Sequence, residues 1–124
     1  MTDTIDTTDT VRRYYDILQA GADAFDEDRL RPLLAPDLDF EGPIAGRRTG
    51  AEPFITGVSG FVHTARRIEF IHQLYVGDRA AVLYDAELPG GTVRFAEFFQ
   101  LAAGRIQSLR LMYDPAEFRS RGGQ

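Results

Sequence analysis

The sequence predicts an α+β fold, in which helices pack on one face of a curved, mostly antiparallel sheet. Three observations support this fold class. Apolar residues recur at helical spacing early in the chain, they alternate with a two-residue period later, and Gly- and Pro-containing turns separate the alternating segments. With 124 residues, 44% of them hydrophobic, the chain is long enough for one domain with a single core.

Three helices are predicted ahead of the main run of strands. The first covers residues 11–20 and is capped by Asp9 or Thr10. Its buried stripe comprises Val11, Tyr14, Tyr15 and Leu18. The second and third helices are predicted at residues 26–34 and 51–64, where leucines and then aromatic and aliphatic residues recur at helical spacing.

One short strand is predicted between the second and third helices, at residues 38–41. Four longer alternating segments follow the third helix, and short turns join them, so we expect them to pair antiparallel in succession. They cover residues 67–76, 79–88, 92–101 and 105–113. Several of these strands are apolar on both faces, which predicts helices on one face of the sheet and a homodimer formed through the other.

The two ends of the chain are polar and are expected to lie outside the packed domain. Residues 1–9 are predicted to be disordered or frayed, residues 10–119 to form an α+β barrel domain, and residues 120–124 to be a loose tail.

The composition argues against several classes of protein. A formal net charge of −5 disfavours nucleic acid as a partner, and no apolar run approaches the roughly 18 residues of a membrane span. The chain contains no cysteine and no leader-like start, which favours a cytoplasmic protein. No metal-binding or phosphate-binding motif is present, so we expect no metal and no cofactor, and any catalysis would be proton transfer.

Glu97 is the strongest candidate for a catalytic side chain. Two-residue alternation places it on one strand face with Val93, Phe95, Phe99 and Leu101. Burial among such neighbours raises the pKa of a carboxyl group, and a neutral acid in a dry site donates a hydrogen bond or transfers a proton. Two other interpretations remain open: an ion pair with an arginine of a neighbouring strand, or a position at a sheet edge that reaches solvent.

Four other polar residues are candidates for the same site. Tyr14 lies on the buried stripe of the first helix and Tyr113 on an apolar face of the last strand, and each is either a core residue or a pocket residue. Asp85 is either a second pocket carboxylate or the partner of a nearby arginine. His72 shares an apolar strand stripe and is either a core histidine or a ligand contact. The apolar pocket candidates are Phe54, Val58, Phe95, Phe99 and Leu111.

Four stretches carry a resemblance to a known family: VRRYYDILQAG, LAPDLDFEGPIAGRRTGAEPF, GDRAAVLYDAELPGGTVRFAEFFQLAAGRI and RLMYDPAEFR. Over residues 11–118 the chain resembles the SnoaL-like branch of the nuclear transport factor 2-like superfamily. The resemblance implies a cone-shaped α+β barrel, commonly dimeric, around a pocket for a small hydrophobic ligand or substrate. The resemblance is less specific about activity than about fold, because the superfamily includes isomerases, cyclases, hydrolases, dehydratases and non-catalytic binders.

Ketosteroid isomerases within this superfamily oppose an aspartate base to an oxyanion hole made of a helix tyrosine and a protonated acid. Similarity to them implies that Tyr14 is the tyrosine, Glu97 the acid and Tyr113 an aromatic pocket residue. Gly42 stands where the base is expected. Glu41 is adjacent, but strand alternation turns it to the other face unless a bulge intervenes.

Two further relatives constrain the activity that the resemblance implies. Compared with limonene-epoxide hydrolases, Asp85 matches one catalytic acid, but Leu83 and Leu111 replace the arginine and the other acid, which argues against epoxide hydrolysis. Compared with SnoaL-type polyketide cyclases, Asp85 or Glu97 matches the acid–base carboxylate. The sequence therefore predicts a cofactor-independent isomerase, cyclase or dehydratase acting on a carbonyl compound, or a non-catalytic binding or assembly domain of the same fold.

Overall fold

The computed structural model describes residues 2–123, which form four α-helices and a six-stranded sheet. The helices are α1 (Thr4–Gln19), α2 (Glu27–Leu30), α3 (Ala51–Thr64) and α4 (Pro115–Ser120). The strands are β1 (Leu34–Gly42), β2 (Gly46–Thr49), β3 (Arg67–Val76), β4 (Arg79–Leu88), β5 (Gly91–Ala102) and β6 (Arg105–Met112). None of the described helices is both long and apolar enough to cross a membrane.

The strand order is β2-β1-β6-β5-β4-β3, and every pairing is antiparallel except that of β1 with β6. The sheet is curved and has two edges, β2 and β3, so it wraps around the core without closing. This architecture confirms the predicted α+β class and the mostly antiparallel sheet. It also places β5 in the interior of the sheet, with a neighbouring strand on each side.

Helices α1 and α3 pack against the concave face of the sheet through their stripes of buried residues. The stripe of α1 is buried at Val11, Tyr14, Tyr15 and Leu18, and that of α3 at Phe54, Ile55, Val58 and Val62. Fully burying a large apolar side chain contributes about 1.5–3 kcal/mol, so these two stripes account for much of the packing between helices and sheet.

The prediction that residues 1–9 are frayed is wrong for the part that the structure describes. Helix α1 begins at Thr4, and Asp3 caps it by accepting a hydrogen bond from the backbone N–H of Asp6 at 2.8 Å. The Thr7 hydroxyl donates to the Gly77 carbonyl at 2.6 Å, and the Gly77 N–H donates to the Thr4 hydroxyl at 2.8 Å. These tertiary hydrogen bonds stabilise the first turns of α1, whose residues have low intrinsic helix propensity. Met1 lies outside the described residues.

The predicted loose tail at residues 120–124 is likewise wrong for residues 120–123. Asp114 caps α4 by accepting hydrogen bonds from the N–H groups of Ala116 and Glu117. Pro115 occupies the first turn of the helix, where a backbone N–H would have no partner within the helix, so its missing N–H costs no hydrogen bond. The carbonyl of Arg121 then accepts a 2.7 Å hydrogen bond from the N–H of Gly90, which fixes the segment against the β4–β5 turn. Gln124 lies outside the described residues.

Two predicted element boundaries also differ from the structure. Residues 46–49, for which no strand was predicted, form β2 and pair with β1. They are exposed on both faces, so no hydrophobic alternation marks them as a strand. The second helix ends at Leu30 rather than at residue 34, and a 3₁₀ turn containing Pro32 replaces its second half.

Candidate active site

A cavity of about 460 Å³ lies between the concave face of the sheet and helices α1, α3 and α4. That volume falls within the roughly 300–1,000 Å³ of small-molecule sites. Its apolar lining comprises Leu18, Phe40, Ile44, Phe54, Val58, Phe61, Phe95, Leu111 and Phe118. The titratable side chains in the lining are Tyr14, Arg48, Tyr84, Glu97 and Tyr113. The cavity therefore combines an apolar wall with a few polar groups.

Glu97 is buried at the cavity wall, with 2% of its side chain exposed. The Tyr15 hydroxyl donates a hydrogen bond to Oε1 at 2.8 Å, and the Tyr14 hydroxyl lies 3.4 Å from Oε2. No arginine contacts this carboxyl among residues 2–123, and β5 is an interior strand. Neither the arginine pair nor the edge position considered from the sequence is observed.

Burial raises the pKa of Glu97 from 4.5 to about 7. The nearby hydroxyl groups of Tyr15, Tyr84 and Tyr14 act in the opposite direction because they stabilise the carboxylate, but the loss of hydration is the larger effect. A carboxyl group with this pKa is about half ionised at neutral pH, so it is equipped both to accept and to donate a proton.

The three tyrosines around Glu97 remain protonated over the whole physiological range. Burial, and then the negative charge of Glu97, raise the pKa of Tyr14, Tyr15 and Tyr84 well above 10. Each is therefore a hydrogen-bond donor and not a base. The acid–base chemistry of this cluster belongs to Glu97 alone.

An aromatic group forms the wall next to Glu97. The ring of Phe95 lies 4.9 Å from that of Tyr113 and 5.5 Å from that of Phe61, between ring centroids. Phe118 of α4 packs 5.0 Å from Tyr113. Partial burial raises the pKa of Tyr113 as well. Phe118 was not predicted as a pocket residue, because no helix was predicted after the last strand at residues 105–113.

Seven of the ten predicted site residues line the cavity: Tyr14, Phe54, Val58, Phe95, Glu97, Leu111 and Tyr113. Phe99 does not line it. Its ring is buried behind the tyrosines, 5.7 Å from Tyr14 and 6.0 Å from Tyr15, where it supports their positions.

Asp85 lies on the convex face of the sheet, away from the cavity. Its carboxylate accepts hydrogen bonds from Arg94 on β5 at 2.8 and 3.1 Å, and the arginine lowers its pKa. The placement of Asp85 in the catalytic group is thus corrected, and the alternative of an arginine partner is confirmed. The neighbouring Tyr84 takes the concave face instead.

His72 also lies on the convex face and is exposed. The pairing register of β3 with β4 shifts between Phe70 and His72, so one extra residue, Ile71, reverses the alternation. His72 is consequently opposite Leu83 instead of continuing the inward face of Phe70. The prediction that it contacts a ligand is wrong for this reason.

Gly42 occupies the position at which similarity to ketosteroid isomerases predicts a catalytic base. A Cβ atom at Gly42 would lie 3.1 Å from the Phe40 ring and 3.8 Å from Leu111, so the position faces the cavity side but carries no acid. Glu41 points to the other face, where its carboxylate lies 3.3 Å from Arg110. The expectation from strand alternation is confirmed, and neither residue supplies a cavity carboxylate.

Sequence reasoning did not assign site roles to Tyr15, Tyr84 and Arg48. Tyr15 was placed on the buried stripe of the first helix, but the reach of its hydroxyl to Glu97 depends on how α1 crosses the sheet. Within residues 2–123, no three histidine, aspartate or glutamate side chains converge as a metal ion would require.

Comparisons with known proteins support the fold. None of the curated proteins matches the sequence significantly. A protein from Kribbella flavida DSM 17836 superposes with a TM-score of 0.81 at 24% identity, covering 91% of this chain and 90% of that one. A candidate ketosteroid isomerase from the same organism gives 0.76 at 23%, with coverages of 92% and 82%. A candidate SnoaL-like polyketide cyclase from Jannaschia sp. CCS1 gives 0.78 at 20%, with 98% and 94%.

These solved structures establish the fold, and a sequence model of the SnoaL-like domain matches residues 11–109. The matched range contains the part of α1 that carries Tyr14 and Tyr15, and the strands that carry Tyr84 and Glu97. The chain therefore belongs to the SnoaL-like family of the nuclear transport factor 2-like superfamily.

Proposed function

We propose that the protein binds a small hydrophobic carbonyl compound in the cavity and that Glu97 transfers a proton within it, without a cofactor. The observation that carries this proposal is the position of Glu97: a buried carboxyl with a pKa of about 7 in the wall of an apolar cavity, hydrogen-bonded to tyrosines alone. Carboxyl groups tuned in this way are typical of acid–base sites.

The two carboxyl oxygens of Glu97 differ in how strongly they are hydrogen-bonded within the protein, and therefore in how readily they can bind a ligand. Oε1 is engaged by Tyr15 at 2.8 Å, a normal hydrogen bond. Oε2 has Tyr14 at 3.4 Å, a distance at which little hydrogen-bond energy is gained. We infer that both groups face the carbonyl of a bound ligand: the Tyr14 hydroxyl donates to the carbonyl oxygen, and Oε2 of the ionised Glu97 accepts a proton from the adjacent carbon.

The reaction class follows from the number of acid–base groups. Glu97 is the one carboxyl among the described lining residues, and no histidine lies there. A single group must then accept a proton from the substrate and return it at a second atom. Such a transfer suits an isomerisation, or a cyclisation or dehydration in which the substrate is itself acidic beside its carbonyl.

A second candidate function is non-catalytic binding of the same class of ligand. It is favoured by Gly42, since the position where ketosteroid isomerases have a base carries no side chain here. In that case Glu97 and Tyr14 orient the ligand, and the apolar wall supplies most of the affinity.

Solvent exchange separates the two functions. 2-Tetralone, a small apolar ketone, is incubated with the protein in D₂O, and the loss of its α-proton signals is followed by NMR. Catalysis predicts exchange faster than in buffer, near-background exchange with Glu97→Gln, and a smaller reduction with Tyr14→Phe. Binding detected by line broadening, with exchange at the buffer rate, would support the binder; an absence of binding would contradict both functions.

We also propose that the convex face of the sheet pairs with a second copy of the chain. Two apolar rows cross this face. One row runs over β3, β4 and β5 and consists of Leu74, Ala81 and Phe98; the other runs over β4, β5 and β6 and consists of Leu83, Ala96 and Met112. Leu74, Phe98 and Met112 are 65%, 48% and 63% exposed. A self-complementary patch of this kind suits a two-fold interface.

A further inference from the structure

The adjacent residues Arg47 and Arg48 of β2 have different surroundings. The guanidinium group of Arg47 donates two hydrogen bonds to the carboxylate of Asp39, at 2.9 and 3.1 Å. The side chain of Arg48 makes no hydrogen bond and no ion pair with any of residues 2–123. Successive residues of a strand point to opposite faces, so one arginine belongs to the outer ion-pair cluster and the other does not.

The register of β2 with β1 determines where Arg48 points. Arg48 is the direct partner of Phe40, and directly opposed residues of an antiparallel pair share a face. Phe40 lines the cavity, and Arg48 lines it as well while remaining exposed to solvent. Arg48 thus lies where the cavity opens, whereas Glu97 lies in its buried wall.

We propose that the ligand is a hydrophobic carboxylate, whose carboxylate group is bound by Arg48 at the mouth of the cavity while its apolar body reaches toward Glu97. This inference rests on the proposed function and names the class of ligand for the same site. It follows from the distribution of polar groups among the lining residues that the structure describes: one unpaired cation at the opening, an apolar wall behind it, and a proton-transferring carboxyl inside.

The same distribution fixes the direction in which such a ligand enters. Moving a carboxylate into the apolar interior costs its hydration, and an ionised Glu97 would repel it. At the mouth the carboxylate keeps part of its hydration and gains the guanidinium, which offers paired donors of the matching geometry. The opposite, uncharged end of the ligand is therefore the end presented to Glu97 and Tyr14.

The test compares 2-naphthylacetic acid with its uncharged methyl ester, using isothermal titration calorimetry at pH 7 and low ionic strength. We expect the wild-type protein to bind the acid more tightly than the ester. Since Arg48 would form a charge-assisted hydrogen bond as well as an exposed ion pair, Arg48→Gln is expected to weaken binding of the acid about five- to tenfold and to leave the ester unchanged. Arg47→Gln is the matched control and should change neither affinity.

The outcomes separate this inference from the proposed function. Equal binding of acid and ester by the wild type, with no effect of Arg48→Gln, would overturn the carboxylate assignment and leave ligand binding in the cavity standing. A loss of acid affinity in Arg47→Gln equal to that in Arg48→Gln would also overturn it, because a general charge effect would then suffice. If neither probe binds at millimolar concentration, the carboxylate assignment and the proposed function both fail.

Discussion

The hydroxyl of Tyr15 donates a 2.8 Å hydrogen bond to Oε1 of Glu97, and so joins the first helix to the interior strand that carries the proposed acid–base group. This bond favours the ionised form of Glu97, whereas burial favours the neutral form. The balance between the two effects brings the pKa of the carboxyl to about 7.

Tyr15→Phe is therefore expected to raise the pKa of Glu97 further. A hydrogen bond to a charged group contributes about 1.5–3 kcal/mol and one pKa unit corresponds to about 1.4 kcal/mol, so the shift should be about one to two units. The ¹³C chemical shift of labelled glutamate carboxyl groups, followed through a pH titration, measures it. Tyr75→Phe serves as control, because that hydroxyl bonds Gln73 instead. A pKa that stays the same or falls would show that Tyr15 does not stabilise the carboxylate.

The raised pKa of Glu97 also predicts how stability depends on pH. Between 4.5 and about 7 the folded protein binds more protons at this site than the unfolded chain does, so the free energy of unfolding falls as pH rises through this window. From pH 5 to pH 8 the loss should be about 2–3 kcal/mol, and Glu97→Gln should abolish it. Urea denaturation of both proteins at the two pH values gives the difference. Equal pH dependence in both would mean that Glu97 titrates normally.

Thr7→Val is expected to destabilise the protein even though residues 1–9 look unstructured by composition. The substitution removes the 2.6 Å bond to the Gly77 carbonyl and leaves that group without its partner, at a cost of about 1–3 kcal/mol. Urea denaturation measures the change. Thr8→Val is the matched control, because the Thr8 hydroxyl bonds only the Thr4 carbonyl on the exposed side of the helix and should change stability much less.

Gly57→Ala is expected to stabilise α3 by about 0.5–1 kcal/mol, because alanine loses less conformational freedom than glycine in a helix. No atom lies within 4 Å of the position that its Cβ would occupy. Gly50→Ala is the contrasting variant and should destabilise, since Gly50 has a φ of +113° that other residues rarely adopt. Thermal unfolding distinguishes them. A lower melting temperature for Gly57→Ala would indicate that the cavity mouth needs glycine.

Phe98→Glu is expected to convert the proposed dimer to a monomer, because it places a charge in the middle of the apolar convex face. Analytical ultracentrifugation measures the mass. Ile5→Glu is the control, since Ile5 is 78% exposed on α1, away from that face. A wild-type protein that sediments as a monomer at high concentration would overturn the proposed pairing.

The predictable part of the fold is the part in which periodicity and burial coincide. The stripe of α1 and the alternation of β5 placed Tyr14 and Glu97 on inward faces, and the structure confirms both positions. Alternation also placed Glu41 outward correctly. Each of these residues lies in an element whose buried face is continuous over several positions, so a small error in its boundaries does not change the direction of the side chain.

Three errors have identifiable physical causes. One extra residue at Ile71 reversed the face of His72, and nothing in the local sequence marks that bulge. β4 is apolar on both faces, so Asp85 could not be assigned to one of them by hydrophobicity. The pair Asp114-Pro115 was interpreted as the end of a strand, although a capping residue followed by proline is also a common start of a helix, as α4 shows.

Each end of the described chain supplies part of the wall of one cavity, since Tyr14 comes from α1 and Phe118 from α4. The central strands alone do not enclose it. A ligand that contacts both parts of the wall must therefore recognise the whole folded domain instead of a local segment. Binding would then oppose the detachment of either terminal helix, and ligand affinity and global cooperativity would rise or fall together.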